Sequence, residues 1–414
     1  MISYDQAQTI LAQVALQVPF STEEISLSDA NGRVLAEDLY AREMVPAFAN
    51  SAMDGFALRS QDFLDFSSEK PLRLRVGGMI GAGDEIEQVQ QSAQALEIMT
   101  GAPMPAGGFD AVVKIEDVEV TRDETGLASW IEIHRPVIQF ENVRHAGEDF
   151  KIGDLILASG SQISTVHLLA LAALGISRLK VRSRLSVGLI STGKELVDYC
   201  AQELNPGQIR NSTGLFLEQS LKALGLSIHN FGIIGDTIQE YKDALKRALD
   251  AGCKIIVSTG AVSMGQFDFV KPALLEMGAQ IYFHKCAIRP GKPILFAQLN
   301  DKTESAYIFG VPGNPVSTAV GFQFFIKPFL QQAMGLPPDE VKEVELEADV
   351  KKPDGLATFY KAQSAGTAGR ERVRSLPGQA SFMVSPLLKT NAWLLLPEDG
   401  TVFQKGSQVK VVHI

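Results

Sequence analysis

The chain has 414 residues, 45% of them hydrophobic, and a formal net charge of -10 at pH 7. With about 150 residues per domain, this length predicts roughly three domains, each with enough apolar residues for a core. The acidic balance disfavours nucleic acid as the principal partner, so an anionic ligand would have to be held by local groups.

The first predicted element is an amphipathic helix over residues 3–16. Ser3 can cap it, Gln6 takes the capping-box position, and Ala7 and Leu11 share one face. The segment has no basic region ahead of an apolar run, and no later run approaches the roughly 20 apolar residues that cross a bilayer. We therefore expect a cytoplasmic protein that is neither secreted nor membrane-bound.

Residues 25–180 favour β-structure interrupted by glycine turns. Ser164 opens a predicted helix over residues 164–175. Short runs rich in β-branched and alternating apolar residues predict strands at 72–76, 95–99, 111–120 and 130–134.

The pattern changes near residue 183, where buried strand patterns alternate with helical ones up to residue 336. This alternation predicts a parallel, doubly wound α/β domain. After Pro337 and Pro338 only short strand patterns remain, and these predict a small all-β, barrel-like domain. The predicted division is 1–44 with 141–182 as an elongated domain containing helices, 45–140 as a β-rich insert, 183–336 as the doubly wound domain, and 337–414 as the barrel.

Acidic residues follow the first three strands of the predicted α/β domain. Glu195, Asp236 and Asp268 each come shortly after a buried strand. In open parallel sheets, ligands bind in the crevice outside the carboxyl ends of the strands, so these side chains are expected to converge. Mg²⁺ typically takes one or two protein carboxylates and completes its shell with waters and phosphate. The three residues are therefore predicted to hold Mg²⁺ beside a phosphate.

The small residues between the third strand and Asp268 allow two interpretations. Gly260, Ala261 and Ser263 would let backbone N–H groups approach a phosphate at a helix N-terminus. The segment AVSMG at 261–265 is also one residue from a GxSxG nucleophile elbow, with Ser263 as nucleophile. That serine-hydrolase alternative needs a histidine downstream, and the two available are His284 and His413.

A basic cluster follows in the segment HKCAIRPGKP. Lys285, Arg289 and Lys292 are predicted to clamp an oxyanion around a rigid turn. Further along, Asn314 is expected to cap a helix that begins at Pro315. The same turn would direct the last three residues of the predicted substrate site into the crevice. These residues are Pro312, Pro315 and Ser317.

The cysteines give no sign of metal or disulfide chemistry. They are widely separated and lack CxxC or Cys/His spacing. We expect free, buried thiols at Cys200, Cys253 and Cys286.

Taken together, the motifs resemble the molybdopterin molybdenumtransferase family, which comprises the MoeA proteins and the E domain of gephyrin. The resemblance extends over essentially the whole chain, and its most specific part is PAFANSAMDGFA at residues 46–57. The other matching segments, in chain order, are 98–113, 144–154, 191–196, 207–212, 258–268, 287–293 and 310–317.

The resemblance implies a reaction. Adenylylated molybdopterin and molybdate are converted to molybdenum cofactor and AMP, with Mg²⁺ required. The substrate brings its own dithiolene sulfurs, so no cluster of protein cysteines is needed. The resemblance also implies transient contact with molybdopterin adenylyltransferase and with apo-molybdoenzymes.

Matching positions carry the family's site residues to this chain. Asp54, Thr100 and Asp149 are implied to be functional, as are the three carboxylates after the strands. The resemblance also implies an elongated homodimer, in which residues of the second domain complete the cleft of the partner subunit. The resemblance to the E domain of gephyrin leaves a second function open, that of a non-catalytic scaffold protein with the same fold.

This sequence departs from the family pattern at three places. Ala261 stands where a second glycine is common, and Arg289 replaces a lysine, exchanging a compact ammonium for a planar fork. In the last domain, Lys361 is the only cation in a stretch where the family usually carries arginines. Ser381 and Ser385 remain candidates for contact with molybdate in that domain.

Overall fold

A computed structural model describes residues 1–67, 70–84, 94–261, 269–300, 305–366 and 371–414. Within these ranges the strands form three six-stranded sheets and five two-stranded pairs. None of the described helices is long and apolar enough to span a membrane. The helices are Tyr4–Ala15, Thr165–Ala173, Ser212–Ala223, Ile238–Asp250, Val270–Glu276, Pro315–Gly321 and Lys327–Met334, with a π-helical turn, Phe322–Ile326, joining the last two.

The α/β sheet contains four neighbouring parallel strands, followed by Leu295–Asn300, which runs antiparallel to them, and by the edge strand Gln280–His284, which is antiparallel to Leu295–Asn300. The reversed strand Leu295–Asn300 differs from the all-parallel sheet expected from the sequence. The reason is the short connection before Ser305–Val311: parallel neighbours need a crossover of a dozen or more residues, whereas antiparallel neighbours can be joined by a few. The spatial order is Ser227–Ile234, Ser186–Thr192, Ile255–Thr259, Ser305–Val311, Leu295–Asn300 and Gln280–His284.

Both faces of the central part of this sheet are buried. Along the strand Ile255–Thr259, Ile255 and Val257 point into one core cluster and Ile256 into the other. Alternate strand residues face opposite sides of a sheet, so two apolar faces require a layer of helices on each. The doubly wound fold class is thereby confirmed.

The first helix, Tyr4–Ala15, forms with the predicted capping box. Ser3 Oγ accepts the N–H of Gln6 at 3.1 Å, and Gln6 Oε1 accepts the N–H of Ser3 at 3.0 Å. Its buried side chains, including Ala7 and Leu11, pack in the larger core cluster of the α/β sheet. The first helix therefore belongs physically to the α/β core, although the sequence division groups it with residues 1–44.

The β-rich region contains the second six-stranded sheet, and five short pairs of strands lie in this region and in the rest of the described chain. Residues 22–40 are joined to residues 155–182 through two of these pairs. The sheet runs in the order Ala111–Lys114, Gly55–Leu58, Ala95–Ile98, Leu72–Ile80, Ala128–Ile133 and Glu119–Arg122. The pairs are Thr22–Ser26 with Arg178–Arg182, Leu39–Tyr40 with Leu155–Leu157, Asn50–Ser51 with Val143–Arg144, Leu196–Val197 with Ile209–Arg210, and Val350–Lys351 with Val402–Phe403.

The C-terminal strands close into a barrel. Ala357–Ala365 pairs with both Arg372–Ser375 and Ala392–Leu396, which closes the ring. The short strand Ile288–Arg289 from the α/β domain pairs with the beginning of Ala357–Ala365. The basic turn of the α/β domain is consequently held against the barrel. The remaining barrel strands are Val341–Leu346 and Gln408–His413.

Candidate functional site

An acidic cavity of about 450 Å³ opens at the carboxyl ends of the parallel strands. Glu195 and Asp236 both line it. The N–H of Gly193 donates to Ile234 O at 3.3 Å, and the N–H of Lys194 donates to Asp236 Oδ2 at 3.3 Å. These bonds tie the ends of two neighbouring strands together and so bring both carboxylates to one cavity. The third predicted carboxylate, Asp268, lies outside the described residues, as does Ser263.

The two described carboxylates have the chemistry of a magnesium site. Oxygen ligands from one or two carboxylates are what Mg²⁺ usually takes from a protein. Among the residues whose positions are described, no group of three or more His, Cys, Asp or Glu side chains forms a metal cluster. The fit therefore rests on Glu195 and Asp236, with room in the cavity for water and phosphate oxygens.

Gly260 allows the strand ends to approach closely. Its φ is +84°, and an added Cβ would lie 2.6 Å from both Thr192 O and Thr192 Oγ1. The next residue, Ala261, also has a positive φ of 49°. This left-handed region favours glycine, so the backbone at Ala261 carries strain that a glycine would avoid.

A second, basic cavity of about 610 Å³ lies between the α/β domain and the barrel. Arg289 and Lys292 are exposed at its surface, and Ser317 is only 4% exposed. Pro312 and Ser381 also line this cavity. It therefore gathers cations and hydroxyl groups suited to an oxyanion.

Two other predicted residues of this cluster have different positions. Lys285 has a φ of +78°, its N–H donates to Ile294 O at 2.9 Å, and it is not among the lining residues of either cavity. Pro315 occupies the start of its helix as expected. Asn314 takes the N-cap position as predicted, but its side chain makes no capping bond. The Thr318 hydroxyl group holds this turn instead, since its Oγ1 lies 2.7 Å from Pro312 O and 3.1 Å from Asn314 O, and either carbonyl oxygen can accept its single proton.

The acidic and basic cavities adjoin each other. Ala261, Gly313 and Asn314 line both. A built Cβ on Gly313 would lie 3.6 Å from Gly260 Cα, which shows how close the two backbone turns are. One ligand can therefore reach carboxylates at one end and cations at the other.

Asp54 and Thr100 form a separate pair in the β-rich region. Asp54 Oδ1 accepts the N–H of Thr100 at 2.7 Å and its hydroxyl at 2.8 Å. Together these two bonds hold the pKa of the Asp54 carboxyl below its usual value of 3.8, and the bond from the backbone N–H has the larger effect. Asp149 is exposed, and its N–H donates to Val45 O at 2.9 Å. None of these three residues lines the acidic or the basic cavity.

The histidines needed for a serine hydrolase lie apart from the acidic cavity. His284 ends the edge strand Gln280–His284, and His413 lies in the last barrel strand with Nε2 2.9 Å from Glu371 Oε1. Neither lines the cavity that contains Gly260. Two of the cysteines are buried as expected, whereas Cys200 is exposed, so the prediction of a buried thiol is wrong there.

Sequence reasoning did not identify the barrel residues Leu356, Gln379 and Phe382, which also line the basic cavity. They lie far along the chain from Arg289 and reach it only because the barrel packs against the α/β domain. Ser385, a sequence candidate, begins the 3-10 helix Ser385–Lys389 and is not among the lining residues of that cavity. The sequence pointed to this wall only through Ser381, which was a candidate for contact with molybdate and does line the cavity.

The fold and the paired cavities define a multidomain α/β protein with a cleft for an anionic small molecule at the strand ends. Three family models match in order: the MoeA N-terminal region (domain I and II) over 2–175, the probable molybdopterin binding domain over 188–332, and the MoeA C-terminal region (domain IV) over 343–414. The chain belongs to the MoeA family of molybdopterin molybdenumtransferases.

Relatives match over the full length. The chain is 38% identical to a molybdopterin molybdenumtransferase of Synechococcus elongatus over 99% of each chain. It is 34% identical to the one of Haemophilus influenzae, over 99% of this chain and 98% of that protein. The crystal structure of the molybdopterin biosynthesis moeA protein from Pyrococcus horikoshii OT3 superposes with a TM-score of 0.81, at 27% identity and with complete coverage of both chains.

Proposed function

We propose that this protein is a molybdopterin molybdenumtransferase that inserts molybdate into adenylylated molybdopterin and releases AMP in a Mg²⁺-dependent reaction. The observation that carries the proposal is the pair of adjoining cavities, one acidic and one basic, in a chain whose full-length relatives bear that name. The acidic cavity suits the metal and the adenylyl phosphate. The basic cavity suits an oxyanion.

The carboxylates of Glu195 and Asp236 would hold the magnesium ion, together with Asp268. When bound, the ion offsets negative charge on phosphate oxygens. The N–H of Lys194 orients Asp236 by donating to its Oδ2.

Charge stabilisation on the other side falls to Arg289 and Lys292. Cleavage of the phosphoanhydride is chiefly a matter of positioning and of stabilising charge on oxygen. Arg289 presents a planar fork of donors to an oxyanion, and the buried Ser317 adds a hydroxyl donor. We assign Pro312 and Ser381 supporting roles in the shape of this cavity, Pro315 a role at the start of the helix that carries Ser317, and Lys285 a contribution of positive charge from outside the lining. Gly260 and Ser263 are assigned backbone contacts with phosphate.

We further propose that the protein acts as a homodimer. Asp54, Thr100 and Asp149 do not line the two cavities of their own chain, and they would complete the cleft of the partner subunit. On the helix Thr165–Ala173, the apolar side chains of Val166 and Leu169 are 73% and 78% exposed, which provides a surface that a second subunit could cover.

The reaction is tested by mixing purified protein with adenylylated molybdopterin and Mg²⁺, with and without molybdate. AMP release and molybdenum bound to the pterin are both measured. Molybdate-stimulated AMP release with matching metal incorporation is the expected result. Folded protein that releases no AMP with either molybdate or tungstate would contradict the proposal and support a scaffold.

A single substitution tests the acidic cavity. Asp236→Asn keeps the side chain's shape but removes its charge, so AMP release should fall by about tenfold or more, the effect of losing a charge-assisted contact. Asp243→Asn, on the exposed side of the helix Ile238–Asp250, is the matched control and should retain wild-type turnover. Equal activity of the two variants would remove Asp236 from the site.

A further inference from the structure

Lys361 is a fully buried lysine beside the basic cavity. Its side chain lies in the barrel strand Ala357–Ala365 and is 0% exposed. Nζ donates to the carbonyl oxygens of Gly378 at 2.7 Å, Met383 at 2.9 Å and Ala380 at 3.4 Å. An ammonium group has three N–H donors, so these three carbonyl oxygens use all of them. Lys361 consequently has no donor left for an anion.

The three carbonyl groups belong to a single segment, residues 376–384, which we call the 376–384 loop. A second set of bonds attaches this loop to the same residue of the strand. Gln379 Oε1 accepts the N–H of Lys361 at 3.0 Å, and Gln379 Nε2 donates to Lys361 O at 2.8 Å. The N–H of Leu376 also donates to Lys361 O, at 2.9 Å. Both the backbone and the side chain of Lys361 therefore hold the loop.

The 376–384 loop forms the barrel side of the basic cavity. Gln379, Ala380, Ser381 and Phe382 all line that cavity. Ser381 O accepts the N–H of Val316 at 3.0 Å, which connects the loop to the start of the helix that carries Ser317. A shift of the loop would therefore displace several lining groups at once.

We infer that Lys361 is a positioning residue that fixes the 376–384 loop as one wall of the basic cavity and so sets the affinity for the oxyanion substrate. This inference rests on the proposed function for its substrate. Lys361 thus has a structural role, because the three N–H donors of its ammonium group all bond to carbonyl oxygens of the loop. The contact with the anion on this side then comes from the loop itself, through residues such as Ser381.

The substitution Lys361→Met tests the inference. Methionine has a similar length but no donor, so three buried carbonyl groups lose their partner and the loop loses its anchor. We expect the KM for molybdate to rise about tenfold with kcat changed by less than about threefold, because a looser wall weakens binding before it affects the reaction. Amide hydrogen exchange within residues 376–384 should become faster.

Val411→Ala is the control for general destabilisation of the barrel. Val411 is fully buried in the barrel core, on the strand Gln408–His413, and does not line the basic cavity. This variant should lose stability while its KM for molybdate stays within about twofold of wild type. An equal rise in KM would mean that any destabilised barrel weakens binding, and it would overturn the inference.

A double-mutant cycle separates anchoring from direct contact. If Lys361 acts through the loop, Ser381→Ala should add little to the KM of Lys361→Met, because both changes affect one wall. Additive effects would overturn the inference. If wild-type protein shows no molybdate-dependent turnover, the proposed function fails. The loop is then judged by exchange alone: faster exchange in Lys361→Met supports its anchoring, and unchanged exchange overturns it.

Discussion

Gly260 lines the acidic cavity and lies close to Gly313, a residue that both cavities share. The φ of Gly260 is +84°, and a Cβ added to Gly260 would lie only 2.6 Å from Thr192 O, which is too close for two non-bonded atoms. Gly260→Ala should therefore destabilise the protein by about 1–2 kcal/mol or more and lower its Tm by several degrees. Thermal unfolding followed by circular dichroism measures this effect.

Gly313 supplies the control for that prediction. The nearest atom to a Cβ built there is Gly260 Cα at 3.6 Å, an ordinary van der Waals distance. Gly313→Ala should keep the Tm within about one degree of wild type. A similar loss of stability in both variants would show that the Thr192 contact at Gly260 is not responsible.

The Asp54–Thr100 pair predicts a dependence on pH. The pKa of Asp54 is lowered in the folded protein, so its ionised form adds stability above its usual value of 3.8, and this contribution is lost as the pH falls through the lowered pKa. Thr100→Val removes the hydroxyl donor and should raise the pKa of Asp54, while the backbone donor still keeps it below the usual value. Titration of the Asp54 carboxyl carbon by NMR checks this, and an unchanged pKa would contradict it.

Among single residues, those that lie at the ends of parallel strands could be identified from the sequence. Glu195 and Asp236 were predictable because parallel strands bring their carboxyl ends to one edge. The role of Lys361 was not, because a lysine that binds a ligand and a lysine that satisfies buried carbonyl groups look identical in a sequence. Only the packing of the 376–384 loop distinguishes them.

Among the secondary-structure elements, the first helix allows a direct test of its capping box. Ser3 and Gln6 form a capping box, and the N–H of Tyr4 donates to Glu398 Oε1 at 2.9 Å, so the helix start is also tied to the C-terminal region. Ser3→Ala should cost about 1 kcal/mol of stability. Amide exchange over residues 4–15 should become faster in this variant, as measured by mass spectrometry.

Ser3→Thr provides the comparison, since threonine keeps a hydroxyl acceptor for the N–H of Gln6. It should remain close to wild type in both stability and exchange. If Ser3→Ala were also indistinguishable from wild type, the helix start would be held by Glu398 and the α/β core alone.

Elements with strong local patterns were predicted well, and those determined by neighbours were not. The helices Ser212–Ala223 and Ile238–Asp250 lie in the region after residue 183 where strand and helical patterns alternate in the sequence. The antiparallel direction of Leu295–Asn300 depends on its partners in the sheet, which the sequence pattern does not specify. Likewise, the contact between Ile288–Arg289 and the barrel joins segments that are distant in the chain.

For the whole molecule, the proposed shared cleft predicts recovery of activity by mixed subunits. Asp54→Ala and Asp236→Ala should each abolish most turnover as homodimers. After subunit exchange, half of the dimers are mixed and each contains one intact cleft, so activity should return to about a quarter of wild type. If Asp54 instead served its own chain, no mixed dimer would have an intact cleft and activity would stay absent.

The backbone boundary between the two cavities has a consequence for inhibitor design. Among the described residues the two cavities share only Ala261, Gly313 and Asn314, so two small fragments can sit in adjacent compartments and contact otherwise different lining residues. A phosphate fragment with its metal would occupy the acidic compartment and a tetrahedral oxyanion the basic one. Joining the two by a short tether would make the second contact intramolecular, and the linked compound should bind far more tightly than either fragment.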